Sequence, residues 1–150
     1  MIPPIDRTVL INATPSVVWN YLTLPGLMKQ WIGPPEMEIE VNTDWKIGRP
    51  MIIRGFHHVG FENRGVVQAF DLHKQIRYTQ LSTISRLSDL PENYTVVEFT
   101  LTLVQNETLL ALKIWNFPTE TIFRHLDFYW RGTLEIMKKL IEKQNLQTKI

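Results

Sequence analysis

The sequence predicts an α+β domain: a curved antiparallel sheet of about six to seven strands, two short helices after the first strand, and one long C-terminal helix. Three observations carry this. Several segments alternate apolar and polar residues with period two, most cleanly Val97, Phe99, Leu101 and Leu103 against Glu98, Thr100 and Thr102. Two segments opened by Pro15 and Pro25 carry apolar residues at helical spacing. One long stretch, residues 119–144, repeats apolar residues every three or four positions.

Each element has its own signals. In residues 6–12, Arg7, Val9 and Ile11 alternate with Thr8, Leu10 and Asn12, which reads as a strand. Thr14 is placed to cap a helix whose first position, Pro15, has no N–H to lose. Val17, Val18, Tyr21 and Leu22 form its apolar stripe. Leu27, Met28, Trp31 and Ile32 give the next helix its stripe, and Gly33-Pro34-Pro35 stops it. Residues 36–42 alternate Met37, Ile39 and Val41 with Glu36, Glu38 and Glu40, predicting a strand with one acidic, solvated face. Residues 50–56, 61–71 and 75–81 are further strands, and polar residues 82–92, with Pro91, form a loop. Residues 94–104 and 108–116 pair through a tight turn at Asn106-Glu107. In the last segment Phe123, Leu126, Trp130, Leu134, Met137 and Ile141 make one stripe, and about 26 helical residues span roughly 39 Å.

Composition narrows the function classes. The 150 residues fit one domain. Sixteen basic and 15 acidic side chains leave a net charge of +1, which argues against a duplex-binding face. With no cysteine there are no disulfides, thiol nucleophiles, iron–sulfur clusters or thiolate zinc sites. No stretch approaches the roughly 18–20 apolar residues of a membrane span. The N-terminus, Met1-Ile-Pro-Pro-Ile-Asp-Arg7, lacks the layout of a signal peptide, so a cytoplasmic location is the simplest expectation. The Asn12, Asn93 and Asn106 tripeptides then read as chance glycosylation matches.

A single helix cannot fill the concave face of a twisted sheet along its whole length. The remaining volume is either plugged by aromatic side chains or left as a cavity, and five tryptophans are available. Inward-facing polar residues bear on this. If Ile76 faces in, so do Tyr78 and Gln80; if Leu112 and Ile114 face in, so does Asn116. Buried polar groups need a partner, in a core network, in water or in a ligand.

Signatures of catalysis are absent. There is no GxSxG, Walker A or GxGxxG. His57 and His58 are adjacent, so on a strand they point to opposite faces and cannot chelate one metal. His73 belongs to a hairpin and His125 to the start of the long helix, both read as surface or edge residues. No cofactor is expected. Arg54 is either a charge for an acidic ligand or a solvated outer-face residue.

Five motifs carry a family resemblance: 11–23 (Ile-Asn-Ala-Thr-Pro-Ser-Val-Val-Trp-Asn-Tyr-Leu-Thr), 25–34 (Pro-Gly-Leu-Met-Lys-Gln-Trp-Ile-Gly-Pro), 45–50 (Trp-Lys-Ile-Gly-Arg-Pro), 65–71 (Gly-Val-Val-Gln-Ala-Phe-Asp) and 129–143. The sequence resembles the START/Bet v 1-like (SRPBCC, helix-grip) superfamily over residues 6–143. Within it, it is most similar to bacterial single-domain proteins like the C-terminal domain of the activator of Hsp90 ATPase (the AHSA1-like group). It departs from the group's pattern at Ile32, where a second aromatic usually stands beside Trp31. The resemblance implies a helix-grip fold with a hydrophobic small molecule held between sheet and long helix. On that reading Tyr78, Gln80, Phe99, Leu112, Ile114, Leu126 and Trp130 line the site and Trp31 stands near its mouth. A polyketide-cyclase-like enzyme using Tyr78 and Arg54, or a chaperone-interaction module, are the alternatives. The partner expected is a small hydrophobic molecule, with no nucleic acid and no membrane span, and the protein is a monomer or a homodimer.

Overall fold

Strand β1 (Ile5–Ile11) leads through two short helices, α1 (Pro15–Thr23) and α2 (Pro25–Ile32), into a run of strands. These are β2 (Glu40–Thr43), β3 (Pro50–His57), β4 (Val59–Asp71), β5 (Gln75–Ser82), β6 (Thr95–Val104) and β7 (Glu107–Trp115). Helix α3 (Glu120–Thr148) closes the chain. The computed structural model describes residues 1–148. The seven strands form one sheet in the order β1-β7-β6-β5-β4-β3-β2, antiparallel at each pairing. This is the α+β, helix-grip architecture expected from the sequence.

Register sorts the sheet into two faces. Ile5, Ile114, Val97, Tyr78 and Val67 lie side by side across five strands, and all are buried. One residue along, Asp6, Lys113, Glu98 and Arg77 make a charged row on the convex face. There Arg77 pairs with Glu98 at 3.0 Å. Leu126, Trp130, Leu134, Met137 and Ile141 of α3 bury against the concave face.

Two features bend the sheet. The β4–β5 register shifts between Val67 and Ala69, an extra-residue bulge that increases local twist. Nearby, a Cβ on Gly65 would stand 1.9 Å from the Thr79 carbonyl oxygen, so only glycine lets β4 approach β5 there. The Val66 N–H donates to the Thr79 hydroxyl at 3.0 Å.

Helix α3 also covers the outer edge of β1. Lys138 Nζ donates to the Leu10 carbonyl at 2.7 Å, and the Asn12 N–H donates to Glu142 at 2.8 Å. Asn145 Nδ2 donates to the Asn12 carbonyl at 3.0 Å. The Leu10 carbonyl at the end of the β1 edge and the backbone of Asn12 just beyond it are thereby occupied.

Boundaries differ from expectation where a turn intrudes. Pro35–Met37 form a 3-10 turn and Glu38 takes a left-handed φ of 50°, so β2 starts at Glu40, not at residue 36. The alternation nevertheless survives: Ile39 and Val41 are buried. The β6–β7 turn residues are Gln105 and Asn106, both with positive φ, rather than Asn106-Glu107. Thr14 makes no side-chain cap bond; its hydroxyl lies 3.2 Å from that of Ser16. Leu103 is 62% exposed because β6 runs past the covered part of the sheet. Asn116 lies beyond β7 with φ 64°, is exposed, and donates to the Tyr94 carbonyl instead of facing inward.

Candidate functional site

Five of the residues expected to line a site, Phe99, Leu112, Ile114, Leu126 and Trp130, lie in the core between sheet and α3, and Trp31, expected at a mouth, is buried with them. Phe99, Leu112 and Ile114 form the floor, and Leu126 and Trp130 descend from the helix. Trp130 is the centre of an aromatic cluster. Its ring lies 5.5 Å from Phe99, 5.1 Å from Tyr129 and 5.9 Å from Trp31. Trp31 is itself buried, and its indole N–H donates to the Tyr21 carbonyl at 2.8 Å. Tyr129 clamps α3 to α2 by donating to the Ile32 carbonyl at 2.6 Å.

Burial distinguishes a packed layer from a lined cavity. A side chain on a cavity wide enough for water exposes surface into it. Leu112 and Ile114 are 0% exposed and Phe99 1%, so at this depth the interior is filled. Of the two outcomes the curvature allows, aromatic plugging holds around Trp130.

Polar side chains collect toward the β5–β6 part of the concave face. Tyr78 is buried, Gln80 is half-buried, and Thr95, the cross-strand partner of Gln80, is buried. No described residue hydrogen-bonds the Tyr78 hydroxyl or the Gln80 amide. Burial pushes the Tyr78 phenol well above its ordinary pKa, and neighbouring Tyr129 adds to the shift. Burial likewise raises Tyr129, to about 12, although a hydrogen bond with Thr133 opposes the shift. Both phenols therefore stay neutral donors at physiological pH. Trp45 borders the group, its ring 6.1 Å from Tyr78 and its indole N–H donating to the Thr23 carbonyl at 2.7 Å. No periodicity in the sequence places Trp45, because its position depends on a left-handed φ of 57° in the β2–β3 loop.

The other candidates lie outside. Arg54 is on the solvent side of β3 and pairs with Glu62 at 2.7 Å. It supplies no charge to the interior. His57, His58, His73 and His125 are all exposed. His57 ends β3, His58 sits in the turn with φ 64°, and their rings lie 4.6 Å apart. Among the described residues no cluster of three or more His, Asp or Glu is placed to hold a metal ion. Two surface concavities, each of about 480 Å³, lie away from the aromatic cluster. One is on the convex face beside Ile52, Val66 and Tyr94; the other lies under Pro34, Met37 and Phe56.

Residues 12–142 match the family model described as "Activator of Hsp90 ATPase homolog 1-like protein". The chain belongs to this AHSA1-like family. No curated protein matches it. Among solved structures, it is similar to a protein from Cytophaga hutchinsonii at 28% identity and a TM-score of 0.78, covering 95% of this chain and 96% of that one. The Aha1 dimer from Colwellia psychrerythraea is 20% identical with a TM-score of 0.73, covering 94% and 97% of the two chains. A protein from Chromobacterium violaceum is 16% identical with a TM-score of 0.79, covering 94% and 99%. At those lower identities the likeness is one of fold. No described helix of this AHSA1-like chain is long and apolar enough to cross a membrane.

Proposed function

We propose that this AHSA1-like domain is a binding module for a small hydrophobic or amphipathic molecule, held between the sheet and α3. The observation that carries this reading is the unpartnered pair on the concave face, the Tyr78 hydroxyl and the Gln80 amide. Gln80 is half-buried and neither group is a fully buried atom without a partner, so both keep hydrogen-bonding capacity to offer a ligand's polar end. A few polar groups among apolar and aromatic walls is how small-molecule sites are commonly built. In this arrangement Phe99, Leu112 and Ile114 become the floor and Leu126 and Trp130 the roof only once the plug opens, and buried Trp31 is part of that plug and not an open rim. Since the Trp31–Trp130 contact closes the interior, entry requires those rings to part. Binding and ring movement are then one coupled event.

The test is native mass spectrometry of the purified full chain, before and after addition of sodium laurate. A saturable one-to-one laurate adduct, weakened in Tyr78→Phe and Gln80→Leu, is expected. No adduct, or one indifferent to both substitutions, overturns the proposal. A cyclase-like enzyme fits less well, because Arg54 and all four histidines are outside.

A chaperone-interaction role is a second reading, favoured by the family description and by one surface. Phe70, 38% exposed, lies 6.1 Å from the Trp45 ring, and Leu24, Ile47 and Leu72, near these two in sequence, are exposed as well. Stimulation of a bacterial Hsp90 ATPase, abolished by Leu72→Asp, would support it. The Colwellia relative is described as a dimer, and we extend a dimeric state to this chain.

A further inference from the structure

The outward face of α3 is mostly charged, but a short apolar stripe interrupts it. Opposite the buried stripe, Phe128 is 80% exposed and Ile136 55% exposed, one turn either side of Gly132. A lone exposed apolar residue needs no explanation, but two bracketing a glycine on one stripe do. Glycine weakens a helix interior relative to alanine. Nothing within the monomer requires it here, for no atom lies within 4 Å of where its Cβ would stand. What a glycine permits at such a place is close approach of another backbone.

We propose that Phe128, Gly132 and Ile136 form the seam of an antiparallel homodimer, with two α3 helices crossing at Gly132. The proposal rests on the dimeric state extended above and specifies the face. A two-fold crossing at Gly132 puts Phe128 of each copy against Ile136 of the other, so the patch is self-complementary. It also brings Arg131 beside Glu135 of the second copy on the same flank, twice by symmetry. Within one copy Arg131 pairs with Asp127 at 3.1 Å and Glu135 with Lys139 at 4.0 Å, both solvent-exposed pairs of small worth, and at 65% and 53% exposure each side chain can share its charge with the second copy. A parallel pairing would instead set Lys139 against Lys139. The sheet edges offer less. At the end of β1, Lys138 takes the Leu10 carbonyl while Glu142 and Asn145 hold Asn12 just beyond it, and the β2 edge has four residues.

Sedimentation velocity of the full chain, at concentrations up to about 100 µM, reads the outcome directly, since a Kd in the micromolar range is resolved there. The wild type sediments as a dimer. Phe128→Glu and Gly132→Gln each weaken association about tenfold or more. Gly132→Gln also serves as the folding control, because glutamine is the better helix former and leaves the monomer at least as stable. Arg131→Glu weakens association, and adding Glu135→Arg restores it. A wild type that stays monomeric overturns both the dimeric reading and this seam. A dimer unaffected by Phe128→Glu and Gly132→Gln overturns the seam alone and moves the interface elsewhere.

Discussion

Replacing Gly65 with alanine tests the geometry that carries Tyr78 and Gln80. The added Cβ would sit 1.9 Å from the Thr79 carbonyl oxygen and 2.4 Å from its carbon, both backbone atoms without a rotamer to yield. Ordinary contact begins at 3.4 Å, so the strands must part by 3.4 − 1.9 = 1.5 Å. That separation also breaks the 3.0 Å bond from the Val66 N–H to the Thr79 hydroxyl. Overpacking costs about 1–3 kcal/mol and the hydrogen bond about 1 kcal/mol more, for a loss near 3 kcal/mol. At about 2–4 °C per kcal/mol for a chain of this size, Tm falls by roughly 6–12 °C. Gly26→Ala in α2 is the control, for nothing lies within 4 Å of its Cβ position. It should be neutral or stabilising by up to about 1 kcal/mol. Urea denaturation of both variants gives the comparison. If Gly65→Ala is as stable as Gly26→Ala, the close approach of β4 to β5 is not a feature of the folded protein.

Other outcomes follow from the same contacts. Trp130→Ala empties the centre of the aromatic cluster and should cost about 3–5 kcal/mol in urea denaturation; a loss under about 1 kcal/mol would mean the cluster is not core. Tyr129 has a folded pKa of about 12, above its unfolded value of 10.0. Its contribution is therefore complete below pH 10 and is lost as pH rises toward 12, so stability declines over that window. Tyr129→Phe should flatten that decline, while removing the bond to the Ile32 carbonyl costs about 1 kcal/mol at neutral pH. Asp127 bridges Arg7 and Arg131, so Asp127→Asn should cost about 1.5–3 kcal/mol, with Arg131→Ala costing less because its pair is the more exposed.

Helix α3 was legible because a stripe from Phe123 to Ile141 has no competing period, and helix type follows from it. Strands β6 and β7 were legible for the corresponding reason, and their register follows once the turn is known. Residues 36–39 were not, since alternation records burial and not hydrogen bonding. Ile39 is buried as predicted although its segment is a turn. The Tyr78–Gln80 parity could be read from period two. The fate of Trp31 could not, because whether an indole guards an opening or fills it depends on Trp130, 99 residues away. Trp45 was equally out of reach, being aimed at Tyr78 by a backbone conformation rarely adopted by large residues. Arg54 illustrates the reverse case. Its partner Glu62 sits directly opposite in the β3–β4 pairing, so hairpin register alone would have placed the two together on the solvent face.

The proposed function requires the space between sheet and α3 to accept a ligand at Tyr78 and Gln80. A titration of the 15N-labelled full chain with 1-anilinonaphthalene-8-sulfonate, followed by two-dimensional NMR, tests it most directly. Saturable shifts of the Trp31 and Trp130 indole signals and of the Tyr78 and Gln80 amides are expected. Shifts confined to the convex concavity at Ile52, Val66 and Tyr94, or none at all, would contradict it.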